Sequence, residues 1–225
     1  MGSYRCFYEA MTDAAPAPDV LMLLAPGCAH CPAVLAALCE LLKRGVIGRL
    51  EIVNIATHPE VARQHEVRSV PWVRVGEFEL SGTRPVAEYE RWAQRVGGVQ
   101  GRADYLAELL KSGMLSKAID VVDANDAYVA ALLLLLADTQ TDMHVRVGIG
   151  AIFEHLQSTT VLRQHIDALG ALTQHADARV RADACHYLSL SADVNAMSFV
   201  QPLLTDEDAQ VREIARESAD ALHKR

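Results

Sequence analysis

The sequence has no tract of low complexity, and 51 % of its 225 residues are hydrophobic, so a folded core is expected and disorder is not. It also has no long apolar run. The most apolar stretch, Ala130 to Ala137, falls well short of the roughly 20 residues that cross a bilayer, so no membrane partner is expected. No targeting segment is recognisable near Met1, where Glu9 and Asp13 interrupt any apolar h-region; the expected address is cytoplasmic. Positive charge is short as well, with 21 Lys and Arg against 29 Asp and Glu for a net charge of −8. The deficit is concentrated in residues 101–225, which hold 11 basic and 18 acidic residues. An acidic surface of this kind repels phosphate backbones, which excludes nucleic acid as a partner of that half, and it steers a basic protein partner toward it. Aromatic residues amount to only 5 %, and the Ala- and Leu-rich second half reads as packed helix. The five cysteines, Cys6, Cys28, Cys31, Cys39 and Cys185, are too few and too irregular for a secreted disulfide framework.

What is present divides into two parts. In the first, Val20 to Leu24 is a compact apolar run, the pattern of a buried strand. Pro26-Gly27 breaks it. From Cys31 to Arg44 apolar residues recur at helical spacing, and Gly45 stands just past the end. Leu50 to Ile55 is a second strand. His58 to Glu66 suits a short helix, with Thr57 as N-cap and Pro59 in the first turn. Trp72–Val75 and Phe78–Ser81 read as a hairpin around Gly76-Glu77, and Pro85 to Val96 as a closing helix before Gly97-Gly98. Tyr4 to Met11 fits either a strand or a short helix. The expected boundary falls at Gly98, giving domains 1–98 and 99–225.

No strand signal follows Gly101; an internal repeat takes its place. Asp142-Met-His-Val145-Arg146 recurs as Asp177-Ala-Arg-Val180-Arg181 and as Asp208-Ala-Gln-Val211-Arg212, at offsets of 35 and 31 residues. Each copy opens an amphipathic helix, and each is preceded by another, at Ala127–Ala137, Val161–Gln174 and Ala196–Leu204. The chemistry of the motif is legible: Asp caps a helix N-terminus, Val enters the core, and Arg reaches an acidic or carbonyl partner in the adjoining repeat. The pattern resembles the HEAT family of helical-hairpin repeats over about residues 127–223. Arg102–Lys111 and Leu115–Asp123 would form a fourth pair, degenerate or capping.

Cys28-Ala-His30-Cys31 is the candidate reactive site. The pair lies where a buried strand gives way to a helix, which places Cys28 at the helix N-terminus and Cys31 one turn further in. There, free N–H groups and the helix dipole favour a thiolate. A zinc site built from Cys28, His30, Cys31 and either Cys6 or Cys39 lacks a second C-x-x-C or H-x-x-H, and adjacent residues rarely both ligate one ion, so no metal is expected. Cys39, eight residues past Cys31 on the same helix and about 12 Å along it, cannot pair with it; Cys39, Cys6 and Cys185 read as small core residues. Among nine histidines only His30 has a chemical context. About forty residues downstream, Val70-Pro71-Trp72 stands directly before a strand, where proline is tolerated.

Strand, C-x-x-C, helix, strand, helix, X-Pro, strand, strand, helix resembles the thioredoxin fold over about residues 19–97. The resemblance implies an α/β thioredoxin-like domain followed by an all-α HEAT-like repeat domain. It implies Cys28 as nucleophile, Cys31 as resolving thiol, and Pro71 as a cis-proline facing them, with Val70, Trp72 and Gly82 along the substrate groove. Trp72 is equally well read as core. Three departures stand out. Gly27 replaces the family's aromatic before the first cysteine, Met22 occupies the place of its buried acidic residue, and Ala-His fills the dipeptide. His30 would stabilise the Cys28 thiolate and make the disulfide more oxidising, between the ends of a family range of about −270 to −120 mV. The implied activity is thiol–disulfide exchange on protein substrates without a cofactor, the acidic helical array choosing the partner. The alternative is a non-catalytic peptide-binding adaptor or assembly factor whose cysteines sense redox state.

Overall fold

A computed structural model of the chain describes residues 16–223; the ambiguous stretch Tyr4–Met11 and Cys6 lie outside them. The chain divides after Gly98 into two compact units. The first is a four-stranded mixed sheet with helices, of the thioredoxin-like kind, and the second is helical.

In the first unit, β1 (Asp19–Leu24) is central, and the strand order is β2-β1-β3-β4. Its parallel neighbour β2 (Arg49–Asn54) requires a crossover, which α1 (Cys31–Lys43) supplies. Gly45 and Val46 close α1 by donating their amides to Leu42 and Leu41. On the other side β1 pairs antiparallel with β3 (Trp72–Val75), which pairs in turn with β4 (Phe78–Ser81). Gly76 turns this hairpin with φ +55°, and a Cβ there would lie 2.7 Å from a Val96 methyl carbon, so only glycine fits.

Register assigns the side chains to faces. Val20 and Met22 lie opposite Val75 and Val73, which lie opposite Phe78 and Leu80, and all six are buried. That face meets Val34, Leu38 and Leu41 of α1 and Tyr89 and Trp92 of α3 (Val86–Arg95), with Phe78 and Trp92 rings 5.0 Å apart. The opposite face carries Leu21, Leu23 and Trp72, covered by Val61 of α2 (Pro59–Gln64) together with Val67 and Val70. Thr57 is not the cap of α2. His58 holds that place without capping a backbone amide, its ring pairing with Glu60 at 3.2 Å, and the Thr57 hydroxyl donates to the Asn54 carbonyl.

The second unit runs α4 (Val99–Lys111), α5 (Leu115–Ala124), α6 (Ala127–Ala137), α7 (Met143–His155), α8 (Thr160–Gln164), α9 (Ile166–Leu172), α10 (Ala178–Leu190), α11 (Met197–Val200) and α12 (Ala209–His223). Two expected helices are broken. Val161–Gln174 splits at His165, whose ring binds the Val161 carbonyl while its amide turns to Leu162. Ala196–Leu204 becomes α11 between 3-10 turns at Val194–Ala196 and Gln201–Thr205, the second containing Pro202, which has no N–H to continue the ladder.

The three Asp-x-x-Val-Arg copies adopt matching local structures. Asp142, Asp177 and Asp208 each accept the amide two residues on at 2.8 Å. The His144 amide holds the Asp142 carboxyl below its ordinary range. Val145, Val180 and Val211 are buried. Arg146 donates to the Leu136 carbonyl and to Asp183, Arg181 to the His175 and Ala176 carbonyls and to Asp206, and Arg212 to the Asp206 and Glu207 carbonyls. No described helix is long and apolar enough to cross a membrane.

Candidate functional site

At the end of β1 the chain reverses through Pro26-Gly27, with the Cys28 amide donating to the Ala25 carbonyl at 3.1 Å. Helix α1 then begins at Cys31, with His30 at the N-cap and Pro32 in the first turn. Cys28 therefore lies three residues before the helix and Cys31 is its first residue, not one turn further in. The reason is Pro32, which has no N–H to return to the Cys28 carbonyl, so the first i to i+4 bond runs from the Val34 amide to the His30 carbonyl. Cys28 and Cys31 form a disulfide with Cα atoms 5.5 Å apart. The two sulfurs differ in access, Cys28 being half-buried and Cys31 only 4 % exposed. The Cys31 amide donates to Cys28 Sγ at 3.1 Å. That amide is one of the free donors of a helix start, so a negative charge on Cys28 would be met by a hydrogen bond and by the positive end of α1. The His30 imidazole is exposed and makes no side-chain cap bond.

The Leu23–Trp72 pairing of β1 with β3 sets Pro71 at the sheet end from which the Cys28 loop departs. The Val70–Pro71 bond is cis. The Pro71 carbonyl accepts the Gly82 amide at 2.9 Å, so Gly82 extends the β3–β4 ladder beside Pro71. Gly82 has φ +81° and no atom within 4 Å of where a Cβ would stand, so its flank is open. Val70 is half-buried against the face that carries Leu21 and Leu23, and Trp72 is 4 % exposed within that face's core. Sequence reasoning missed His65, whose ring stacks on Trp72 with centroids 5.3 Å apart; its position just after a short helix gave no signal.

The remaining cysteines do not join the pair. Cys39 is half-buried on α1, not a core residue as expected, because its position falls at the margin of the stripe formed by Val34, Leu38 and Leu41. Cys185 is fully buried in α10, and burial pushes its thiol up to about 11. Among the described residues no three His, Cys, Asp or Glu side chains gather so as to hold a metal ion.

Residues 19–93 match a family described as Thioredoxin domain. The match covers β1 through most of α3 and ends before the helical unit. No curated protein matches the chain.

Proposed function

We propose that the first unit is a thiol–disulfide oxidoreductase acting on protein substrates through Cys28 and Cys31, and that the second unit, a HEAT-like array, selects the partner. The observation that carries the reading is the asymmetric pair, a half-buried cysteine whose sulfur accepts the first amide of α1 and a buried cysteine three residues on. In the reductive direction the Cys28 thiolate attacks a substrate disulfide, forming one S–S bond and releasing one substrate thiolate. Cys31 then attacks Cys28 Sγ and releases the second substrate thiolate, so two electrons pass to the substrate and the Cys28–Cys31 disulfide is left. The reverse sequence oxidises a substrate dithiol, and the relative potentials set the direction. Val70, Pro71 and Gly82 would flank the bound chain, and Trp72 would support the groove from the core.

An insulin-reduction assay with dithiothreitol tests this reading. Wild-type chain accelerates precipitation of the insulin B chain, and Cys28→Ser removes the acceleration. Equal rates for the two proteins would refute it. One observation favours the second reading, a peptide-binding adaptor with redox-sensing cysteines: Met22 is fully buried where the resembling family keeps an acidic residue, so this strand offers Cys31 no proton acceptor.

A further inference from the structure

A groove of about 550 Å³ lies in the helical unit, between Arg163, Ile166 and Asp167 on one side and Asp193, Val194 and Phe199 on the other. Its volume is within the range of ligand sites, roughly 300–1,000 Å³. Its apolar part is substantial. Ile166 is buried, and Phe199 packs so closely on α9 that a Cβ at Gly170 would lie 2.4 Å from its ring. Val194, 75 % exposed, stands at the edge of the groove.

The charged groups are unevenly satisfied. Among the described residues Asp167 makes no hydrogen bond or ion pair, and Asp193 uses Oδ1 to accept the Asn195 amide at 2.9 Å, with no protein donor on Oδ2. Arg163, the cation in the lining, donates to the Ser158 carbonyl at 2.6 Å and the Ser191 carbonyl at 3.4 Å, not to either carboxylate. Two carboxylates thus border an apolar floor without a cation assigned to them, in a half of the chain that is already acidic.

We infer that this groove receives a basic side chain, arginine in preference to lysine, from an extended segment of a protein partner. The aliphatic stem of such a side chain covers Ile166 and Val194, the guanidinium stacks on the Phe199 ring, and its N–H groups reach the Asp167 and Asp193 oxygens left open. An acidic segment would meet like charge. The inference rests on the proposed role of the helical unit in partner selection, but its test has no redox readout, so either can fail alone.

The test is an NMR titration of the ¹⁵N-labelled full chain with the blocked peptide acetyl-Ala-Arg-Ala-amide, beside its citrulline and glutamate counterparts. The expected result is saturating shifts confined to amides of residues 163–170 and 193–199 with the arginine peptide. The neutral citrulline peptide should bind about tenfold more weakly, the loss that accompanies one charge-assisted hydrogen bond, and the glutamate peptide not at all. Asp167→Asn with Asp193→Asn should produce a similar loss, asparagine preserving the Asn195 cap. Asp167→Asn alone, at an exposed side chain without a partner, keeps the test valid if the double variant is unstable. Absence of saturation at these residues, equal binding of citrulline, or shifts spread over the acidic surface and indifferent to the variants would each overturn the proposal.

Discussion

Cys28 and Cys31 are chemically identical in sequence and acquire different roles from their surroundings. The C-x-x-C pair was legible because it is local: a strand end, a Pro-Gly break and the start of a helical period bring two cysteines within disulfide reach. The helix start at Cys31 was legible too, from the helical period and Pro32; the position of Cys28 ahead of that start, rather than at it, was not. The sequence also did not show that Cys39 is half-buried, because the margin of a buried stripe is set by what α1 packs against. The difference is measurable. In oxidised native protein, a peptide map should link Cys28 to Cys31. Iodoacetamide at pH 8 should label Cys39 and leave Cys185 unmodified until the chain is unfolded, since that thiol is buried and raised to about 11. Any other linked pair, or rapid labelling of Cys185, would contradict the packing. His30 is exposed beside the pair, so its charge acts through solvent and its effect is small. His30→Gln should make the potential more negative by about 5–20 mV, the equivalent of 0.2–1 kcal/mol for an exposed ion pair. Equilibration with glutathione measures it, and a shift to less negative values would show that His30 does not favour the thiolate.

The elements of the helical unit are organised by one short motif used three times. Its capping Asp and core Val were readable from sequence because each acts within its own helix start. The Arg was readable by type, but only Arg146 and Arg181 reach an acidic residue of the next copy, while Arg212 stays on the Asp206 and Glu207 carbonyls. Breaks at His165 and Pro202 were not readable. The first depends on a ring taking a carbonyl, the second on a proline late in an otherwise periodic run. Arg181 and Asp206 are the most enclosed pair joining two copies, with side chains 10 % and 8 % exposed. Asp206→Ala leaves Arg181 with the His175 and Ala176 carbonyls and with Glu207 at 3.5 Å. It should cost about 1.5–2 kcal/mol of stability, read from the denaturant midpoint of the helical signal. The hydrogen bond from Arg181 holds the Asp206 carboxyl below its ordinary range. The unfolded chain, with a carboxyl near 3.9, therefore binds more protons in the interval between the two values, and stability rises with pH there. This contribution is complete above about pH 5 and is lost as pH falls from there through the lowered value. Arg181→Ala should flatten that acid limb. A limb of unchanged steepness would mean that other carboxylates dominate it.

At the scale of the whole molecule, a sheet unit with a dithiol is followed by a helical unit with an acidic surface, the division falling after Gly98. The change in hydrophobic period and the Gly97-Gly98 punctuation made that division visible in the sequence. The groove beside Phe199 was not visible, because it depends on the close approach of residues about thirty apart. Residues 1–98 expressed alone should fold and retain dithiol chemistry toward a small disulfide, with circular dichroism and a dithionitrobenzoate assay as readouts. Failure to fold would mean that the two units share a core. The central claim, attack through Cys28 and resolution by Cys31, is tested most directly by trapping. Reduced Cys31→Ser protein, mixed with oxidised glutathione, should accumulate a stable adduct of one glutathione, and peptide mass spectrometry should place it on Cys28. Cys28→Ser should form none on Cys31. An adduct on Cys31, or none on Cys28, would contradict the account.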